Sequence, residues 1–151
     1  MPDNQWEQML VTVAEEVLET MFFTGIYGPA QDAGPEDLPR FAAGVSFEGA
    51  PCGRLTLSIP ETAARTLAAD FLAAEGEGGL TDAQVGAVVC ELANMICGAL
   101  LSRVESGEHF RLSSPELVPA GAAPPACQHH RFLDLGEGAL SLWLRLENHA
   151  A

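Results

Sequence analysis

The hydrophobic residues of this chain recur with two different periods. Apolar positions from Leu10 to Met21 have the three-to-four spacing of an amphipathic helix, which predicts a helix over 5–23. A short helix is predicted to begin at Glu61, directly after Pro60. The longest helix is predicted over 81–105, where Thr81 and a glutamine three residues later have the spacing of a capping box.

Alternation with a period of two predicts half-buried strands. It occurs over 44–48, 53–60, 109–112, 131–135 and 139–147. In the last of these, four leucines occupy one face, and Trp143 lies on the other face with Ser141 and Arg145. The segments 30–39 and 113–127 are rich in proline, alanine and glycine, and we interpret both as loops.

A helix followed by a pair of strands occurs twice along the chain. In an alignment of the two long helices, Glu16 matches Glu91 and Glu19 matches Asn94. Duplication predicts a single α/β domain of the α+β kind over residues 1–151, with pseudo-two-fold symmetry. It would contain a mostly antiparallel six-stranded sheet with two long helices packed on one face. Chance similarity of two helix–hairpin units is the alternative.

Charge excludes several classes of partner. The chain has 151 residues, a formal net charge of −14 and only 7 Lys plus Arg, so we expect no binding to nucleic acid or to an anionic membrane. A protein partner with an exposed Lys or Arg fits this charge, and plain solubility is the alternative. The N-terminal segment resembles no signal peptide, and no apolar run approaches about 20 residues, so we predict a cytoplasmic protein.

The outward face of the long helix has an unusual composition. A helical projection of 85–105 places the core-facing residues in one arc. That arc contains Val85, Val89, Leu92, Ala93, Ile96, Ala99, Leu100 and Val104. The opposite arc contains Ala87, Glu91, Asn94, Gly98 and Glu105. Asn and Gly are poor helix formers, and Ala and Gly leave this face low, so another protein could approach closely. An ordinary solvated face is the alternative.

The cysteines suggest a second kind of chemistry. None of the four cysteines is spaced as C-x-x-C, and we interpret them as buried thiols rather than disulfides. Cys127, His129 and His130 lie close together in the sequence, so a metal- or thiol-dependent enzyme is an alternative hypothesis.

The segment ELANMICG, residues 91–98, resembles the E-x-x-N helix motif of the CheX/CheC/FliY family of chemotaxis phosphatases. Pro115 occupies the place of the proline that follows the family's motif, and AEEVLETMFF resembles the family's first helix. The resemblance covers nearly the whole chain and implies a CheC-like fold. It also implies a phosphatase that accelerates hydrolysis of the aspartyl phosphate of a CheY-like response regulator.

The resemblance assigns roles to individual residues. It implies that Glu91 docks to a lysine of the regulator and that Asn94 positions the attacking water. Ala87 and Gly98 are then expected to contact the partner, although Ala87 departs from the Asp or Ser that the family often has there. No cofactor of this chain's own is expected, since the magnesium ion would belong to the regulator. Because Glu19 stands where a second Asn would be needed, we predict one site, as in CheX.

Two further expectations follow from the resemblance. CheX-like proteins can dimerise through their sheets, and Trp143, outside the leucine face, is a candidate for such a homodimer contact. A non-catalytic CheC-like adaptor or binding module on the same fold is the alternative to the phosphatase, and it would bind through the same faces without turnover.

Overall fold

A computed structural model describes residues 3–22, 24–32, 39–49, 52–72, 79–104, 110–119 and 127–147. The helices are Asp3–Met21 (α1), Glu61–Phe71 (α2) and Asp82–Ser102 (α3). The strands are Pro29–Ala30 (β1), Arg40–Glu48 (β2), Cys52–Pro60 (β3), Arg111–Leu112 (β4), Glu116–Val118 (β5), His129–Asp134 (β6) and Ala139–Glu147 (β7). Helix α3 ends at Ser102, with Arg103 as its C-cap, three residues before the predicted end at 105. Residues 105 and 109, where the helix was predicted to end and a strand to begin, lie outside the described residues.

All the described strands form one sheet in the order β1-β6-β7-β3-β2-β4, and β5 also pairs with β2. Every described pairing is antiparallel, which confirms the predicted mostly antiparallel α+β fold. The sheet has seven strands rather than six, because β1 and β5 form inside segments that the sequence predicted as loops. Strands of two and three residues are too short to show a period of two.

The two halves of the chain exchange elements across the sheet. The helix of the first half, α1, packs on β6 of the second half, and α3 packs on β2 of the first. In the same way β1 pairs with β6, and β5 pairs with β2. The central contact between the halves is the β3–β7 pair, from Cys52↔Glu147 to Ser58↔Ser141. This reciprocal arrangement is the pseudo-two-fold architecture that the repeated helix–hairpin order predicts.

The core lies between the sheet and the helices. Leu55, Leu57 and Ile59 of β3 are fully buried on the helix-facing side, as are Leu140, Leu142 and Leu144 of β7. The short helix α2 contributes Ala64 and Leu67 to the same core cluster. Three predicted core positions are less buried than expected: Met21 is exposed, and Ala99 and Val104 are only partly buried against the core.

Polar side chains connect the strands on the opposite face of the sheet. The Arg40 guanidinium donates hydrogen bonds to the Ser58 hydroxyl (2.6 Å) and to the Ala139 carbonyl (2.7 Å), joining β2 to β3 and β7. Burial lowers the pKa of Arg40 from its ordinary value. Trp143 is half-buried on this face, in register with Thr56 on β3 and His130 on β6, as the alternation of β7 predicts.

Helix α3 is strongly apolar overall, although the sequence has no uninterrupted apolar run of about 20 residues. By length and apolar composition alone, this helix of 21 residues could cross a membrane. In this fold, however, its apolar side packs on β2 and enters the common core with Val89, Leu92 and Ile96 fully buried. The apolar side chains of α3 are therefore largely accounted for by its packing in the core.

Candidate functional site on helix α3

The start of α3 is fixed by the predicted capping box. The Gln84 backbone N–H donates to the Thr81 hydroxyl (3.1 Å), and the Thr81 backbone N–H donates to Oε1 of Gln84 (2.9 Å). The two bonds satisfy free donors of the first turn and hold the helix in register over the sheet. Because the buried face of α3 is anchored in the core, the direction of its outward face is fixed as well.

The outward face contains the residues that the sequence singled out. Ala87 is exposed, and Glu91, Asn94 and Gly98 are each intermediate in exposure. Glu91 and Asn94 are three residues apart, so their Cβ atoms lie about 5–6 Å from each other on this face. Among the residues that the structure describes, neither side chain forms a hydrogen bond or an ion pair. Within the described ranges, the carboxylate and the amide are therefore unpaired.

The two glycines of α3 have different surroundings. A Cβ built on Gly86 lies 2.9 Å from Cδ1 of Leu117, so packing against β5 explains the glycine there. A Cβ built on Gly98 meets nothing within 4 Å. No contact inside the described part of the protein therefore requires a glycine at 98. It lies four residues after Asn94 on the same face and lowers the surface there.

Pro115 lies directly before β5, the strand that runs beside α3. It is half-buried, and its position places the Glu116–Val118 segment next to the first half of the helix. The segment behind Pro115 was predicted as a loop. Pairing with β2 makes that segment a strand.

The equivalent pair on α1 has different neighbours. The carboxylate of Glu16 accepts a hydrogen bond from the guanidinium of Arg103, at the end of α3, whereas Glu91 has no partner among the described residues. Glu19 is exposed and is a carboxylate rather than an amide. The outward face of α1 thus has a paired Glu and no Asn at the positions equivalent to Glu91 and Asn94 of α3.

The residues of the metal hypothesis do not converge. His129 and His130 are consecutive in β6, so their side chains point to opposite faces of the sheet. Nδ1 of His129 is buried and lies 3.5 Å from Oε1 of Glu7 on α1, while His130 packs edge-on against Phe132. Within the described ranges, no three His, Cys, Asp or Glu side chains are grouped as metal ligands. The alternative based on Cys127 therefore has no geometric support.

The thiols are not activated. Burial raises the pKa of Cys97 to about 12, and burial also raises the pKa of Cys90 and of Cys127 above the ordinary value. A raised pKa keeps the sulfur protonated and poorly nucleophilic near neutral pH. We therefore interpret these cysteines as structural. All four are free thiols, as predicted, but only Cys52 and Cys97 are buried, whereas Cys90 and Cys127 are partly exposed.

Solved structures share this fold over almost the full chain. The chemotaxis protein CheX of Vibrio vulnificus superposes with a TM-score of 0.76 at 17% identity, covering 97% of this chain and 99% of that one. CheX in the CheX–CheY–BeF3–Mg2+ complex of Borrelia burgdorferi superposes with a TM-score of 0.74 at 14% identity, covering 95% and 98%. A CheC-like superfamily protein from Shewanella gives 0.72 at 20% identity, covering 95% and 97%.

These superpositions define the class: the chain has the fold of the CheC-like proteins. The particular family follows from the sequence. The profile of the chemotaxis phosphatase CheX matches residues 41–130, and the chain belongs to the CheX family. No curated protein sequence matches this chain at a significant level. The matched range contains Glu91 and Asn94, and the resemblance noted from the E-x-x-N segment is confirmed.

Two features of the site were missed by the sequence reasoning. Leu117 lies against α3 although its segment was interpreted as a loop, and Arg103 pairs with Glu16 from 87 residues away. Only a strand's alternation of apolar and polar residues could have revealed the position of Leu117, and β5 is too short to show that alternation. The second depends on how the two helices pack, which no local pattern encodes.

Proposed function

We propose that this protein accelerates hydrolysis of the aspartyl phosphate on a CheY-like response regulator. The observation that carries the proposal is the Glu91–Asn94 row on the outward face of α3, which has no partner among the described residues. The chain belongs to the chemotaxis phosphatase CheX family. The Borrelia relative forms a complex with CheY, which makes a CheY-like regulator the first partner to test. The protein would act in the cytoplasm, where such regulators reside.

The proposed chemistry requires positioning rather than covalent catalysis. An acyl phosphate is already reactive, and fixing the attacking water contributes much of the rate. The Asn94 amide offers a donor and an acceptor, so it can orient a water without placing negative charge beside the phosphate. The Glu91 carboxylate would pair with a lysine of the regulator and fix the approach of α3. The regulator supplies the magnesium ion, and this chain needs none of its own.

The test measures loss of phosphate from phosphorylated CheY-like receivers of the same organism, with and without this protein. We expect Asn94→Ala to reduce kcat about 10²–10³-fold, because it removes a positioned polar group. Glu91→Gln removes the charge at constant size and is expected to raise KM more than it lowers kcat. Thr12→Ala, on the exposed face of α1, is the control. An Asn94→Ala variant with wild-type activity would refute the role of Asn94.

A binding module without turnover is the second candidate. The observation that favours it is the similarity of fold to the FliM middle domain of Vibrio alginolyticus, with a TM-score of 0.54 at 13% identity over 99% of this chain and 95% of that one. Under this alternative Glu91 and Asn94 are contact residues only. A receiver that binds but loses phosphate no faster than when alone would favour the adaptor.

A homodimer is a further part of the proposal. A second copy would pack on the face of the sheet opposite the helices. The half-buried Trp143 lies on this face beside His130 and Phe132. Light scattering at micromolar concentration tests it, with Trp143→Ser as the variant. A monomeric mass for the wild type would exclude this dimer.

A further inference from the structure

An exposed leucine lies against the first half of α3, the helix that carries the Glu91–Asn94 row. Several large hydrophobic side chains are exposed within the described ranges, and Leu117 of β5, at 50%, is one of them. It touches α3 itself, since a Cβ built on Gly86 lies 2.9 Å from its Cδ1. Leu117 therefore packs against the helix that carries the candidate site and is not an isolated apolar residue.

The strand register explains why Leu117 is only half covered. Leu117 pairs with Ala43, which is fully buried on the helix side of the sheet. Its neighbours Glu116 and Val118 therefore point to the opposite face, and the Glu116 carboxylate pairs there with Arg54 at 3.1 Å. On the helix side, α3 covers β2 but reaches β5 only at its edge. The outer half of Leu117 consequently stays exposed.

Leu117 lies over the buried Gly86, and the small side chains of Ala87 and Cys90 follow along the helix. We call Ala87, Cys90 and Leu117 the α3–β5 shelf. Ala87 precedes Glu91 by one helical turn, and Cys90 precedes Asn94 by one turn, so the shelf continues into the polar row. Gly86 lets Leu117 lie against the helix, and Ala87 adds no more than a methyl group. The shelf is therefore low and open.

The size of a protein partner connects the shelf to the proposed reaction. Gly86 lies about 12 Å from Asn94 along the helix axis, at about 1.5 Å per residue. A small domain is about 30 Å across, so a domain centred on Asn94 extends about 15 Å in each direction. A receiver whose phosphorylated aspartate reaches Asn94 thus also covers the shelf.

We propose that the α3–β5 shelf is the apolar part of the regulator-docking surface, with Leu117 buried by an apolar side chain of the receiver domain. This inference rests on the proposed function and extends it. The polar row fixes orientation, whereas removal of apolar surface from water supplies affinity. Leu117 is a docking residue, and it takes no part in positioning the water.

The test compares variants for affinity and turnover separately. In the complex, the receiver would bury the exposed half of Leu117. We therefore expect Leu117→Ser to raise both KM and the Kd for a beryllofluoride-treated receiver about five- to tenfold. The value of kcat is expected to stay within about twofold, because the serine leaves Asn94 in place. Leu117→Met should restore most of the affinity. Leu72→Ser is the matched control, since Leu72 is 45% exposed at the end of α2.

The outcomes separate this inference from the proposed function. If Leu117→Ser keeps the wild-type KM and Kd while Asn94→Ala is inactive, the shelf is refuted and the phosphatase stands. If Leu72→Ser weakens binding as much as Leu117→Ser does, the effect is not local and the shelf is refuted. If the wild type binds a receiver but does not dephosphorylate it, the phosphatase proposal fails. The Kd of Leu117→Ser, compared with the Kd of the wild type and of Leu72→Ser, then still tests the shelf. If the wild type neither binds nor dephosphorylates any receiver, both proposals fail.

Discussion

Gly98 provides a test of why the outward face of α3 is low. Glycine in a helix interior costs about 1 kcal/mol relative to alanine. A Cβ at this position meets nothing within 4 Å, so no clash offsets the gain. We expect Gly98→Ala to stabilise the fold by about 1 kcal/mol, which corresponds to an increase in Tm of about 2–4 °C for a domain of this size. Thermal and urea unfolding measure it.

Gly86→Ala is the internal control on the same helix. Its Cβ would lie 2.9 Å from Leu117 Cδ1, so that leucine has to shift before the helix can gain stability. We expect a smaller increase in stability than for Gly98→Ala, or a decrease. Equal stabilisation by Gly86→Ala and Gly98→Ala would contradict the explanation that only Gly86 is required for packing against Leu117.

A larger side chain at 98 tests the docking argument. Leucine is a good helix former, and the space outside Gly98 is open, so Gly98→Leu is expected to fold as well as the wild type. If the regulator approaches closely there, the leucine forces a misfit of about 1–3 kcal/mol, the range for overpacked contacts. This corresponds to an increase in KM of about 5- to 150-fold. The assay is phosphate loss from the receiver at varied receiver concentration.

One result would refute this reasoning. A folded Gly98→Leu variant that dephosphorylates the regulator with the wild-type KM would show that the partner does not approach this part of α3. The glycine would then have no explanation from docking, and the docking surface would lie nearer to the first half of the helix.

Two further predictions concern stability. Thr81→Ala removes the acceptor for the Gln84 N–H and is expected to cost about 1 kcal/mol in urea unfolding, with Thr81→Ser near wild type; an unchanged midpoint for Thr81→Ala would contradict the role of the cap. The pKa of Cys97 rises on folding from 9.0 to about 12, so the folded state keeps a proton that the unfolded state loses above pH 9. Cys97 therefore contributes stability below pH 9 that falls by about 1.4 kcal/mol per pH unit as the pH rises toward 12. Under reducing conditions, Cys97→Ala should show a shallower loss of stability between pH 8 and pH 10, and an identical slope would contradict the assignment.

The fold class could be predicted because its main elements carry their own patterns. The capping box at Thr81 sets the start of α3, and the leucines of β7 set the inward face of the sheet. The repeated helix–hairpin order then indicates a pseudo-two-fold arrangement. The outward direction of Glu91 and Asn94 follows from the same periodicity, since the residues between them and around them define the core side of the helix.

The remaining features depend on contacts between distant segments. Strands β1 and β5 exist because β6 and β2 offer free edges, and neither is long enough to show a period. The pairing of Arg103 with Glu16 spans 87 residues, and that of Arg131 with Glu7 spans 124. Such pairs depend on how the helices lie on the sheet, and local propensity carries no information about that geometry.

For this protein the sequence alone indicated the helices and the longer strands, the apolar face of each, and which helix carries the Glu–Asn pair. It could do so because period and capping are properties of neighbouring residues. The tertiary structure decided that Glu16 is paired with Arg103 while Glu91 has no partner among the described residues. It also decided that Gly86 makes room for Leu117 on the same helix, while Gly98 faces open space. Each of these is a relation between residues brought together only by packing, which is why the surface beside the motif became visible only in the fold.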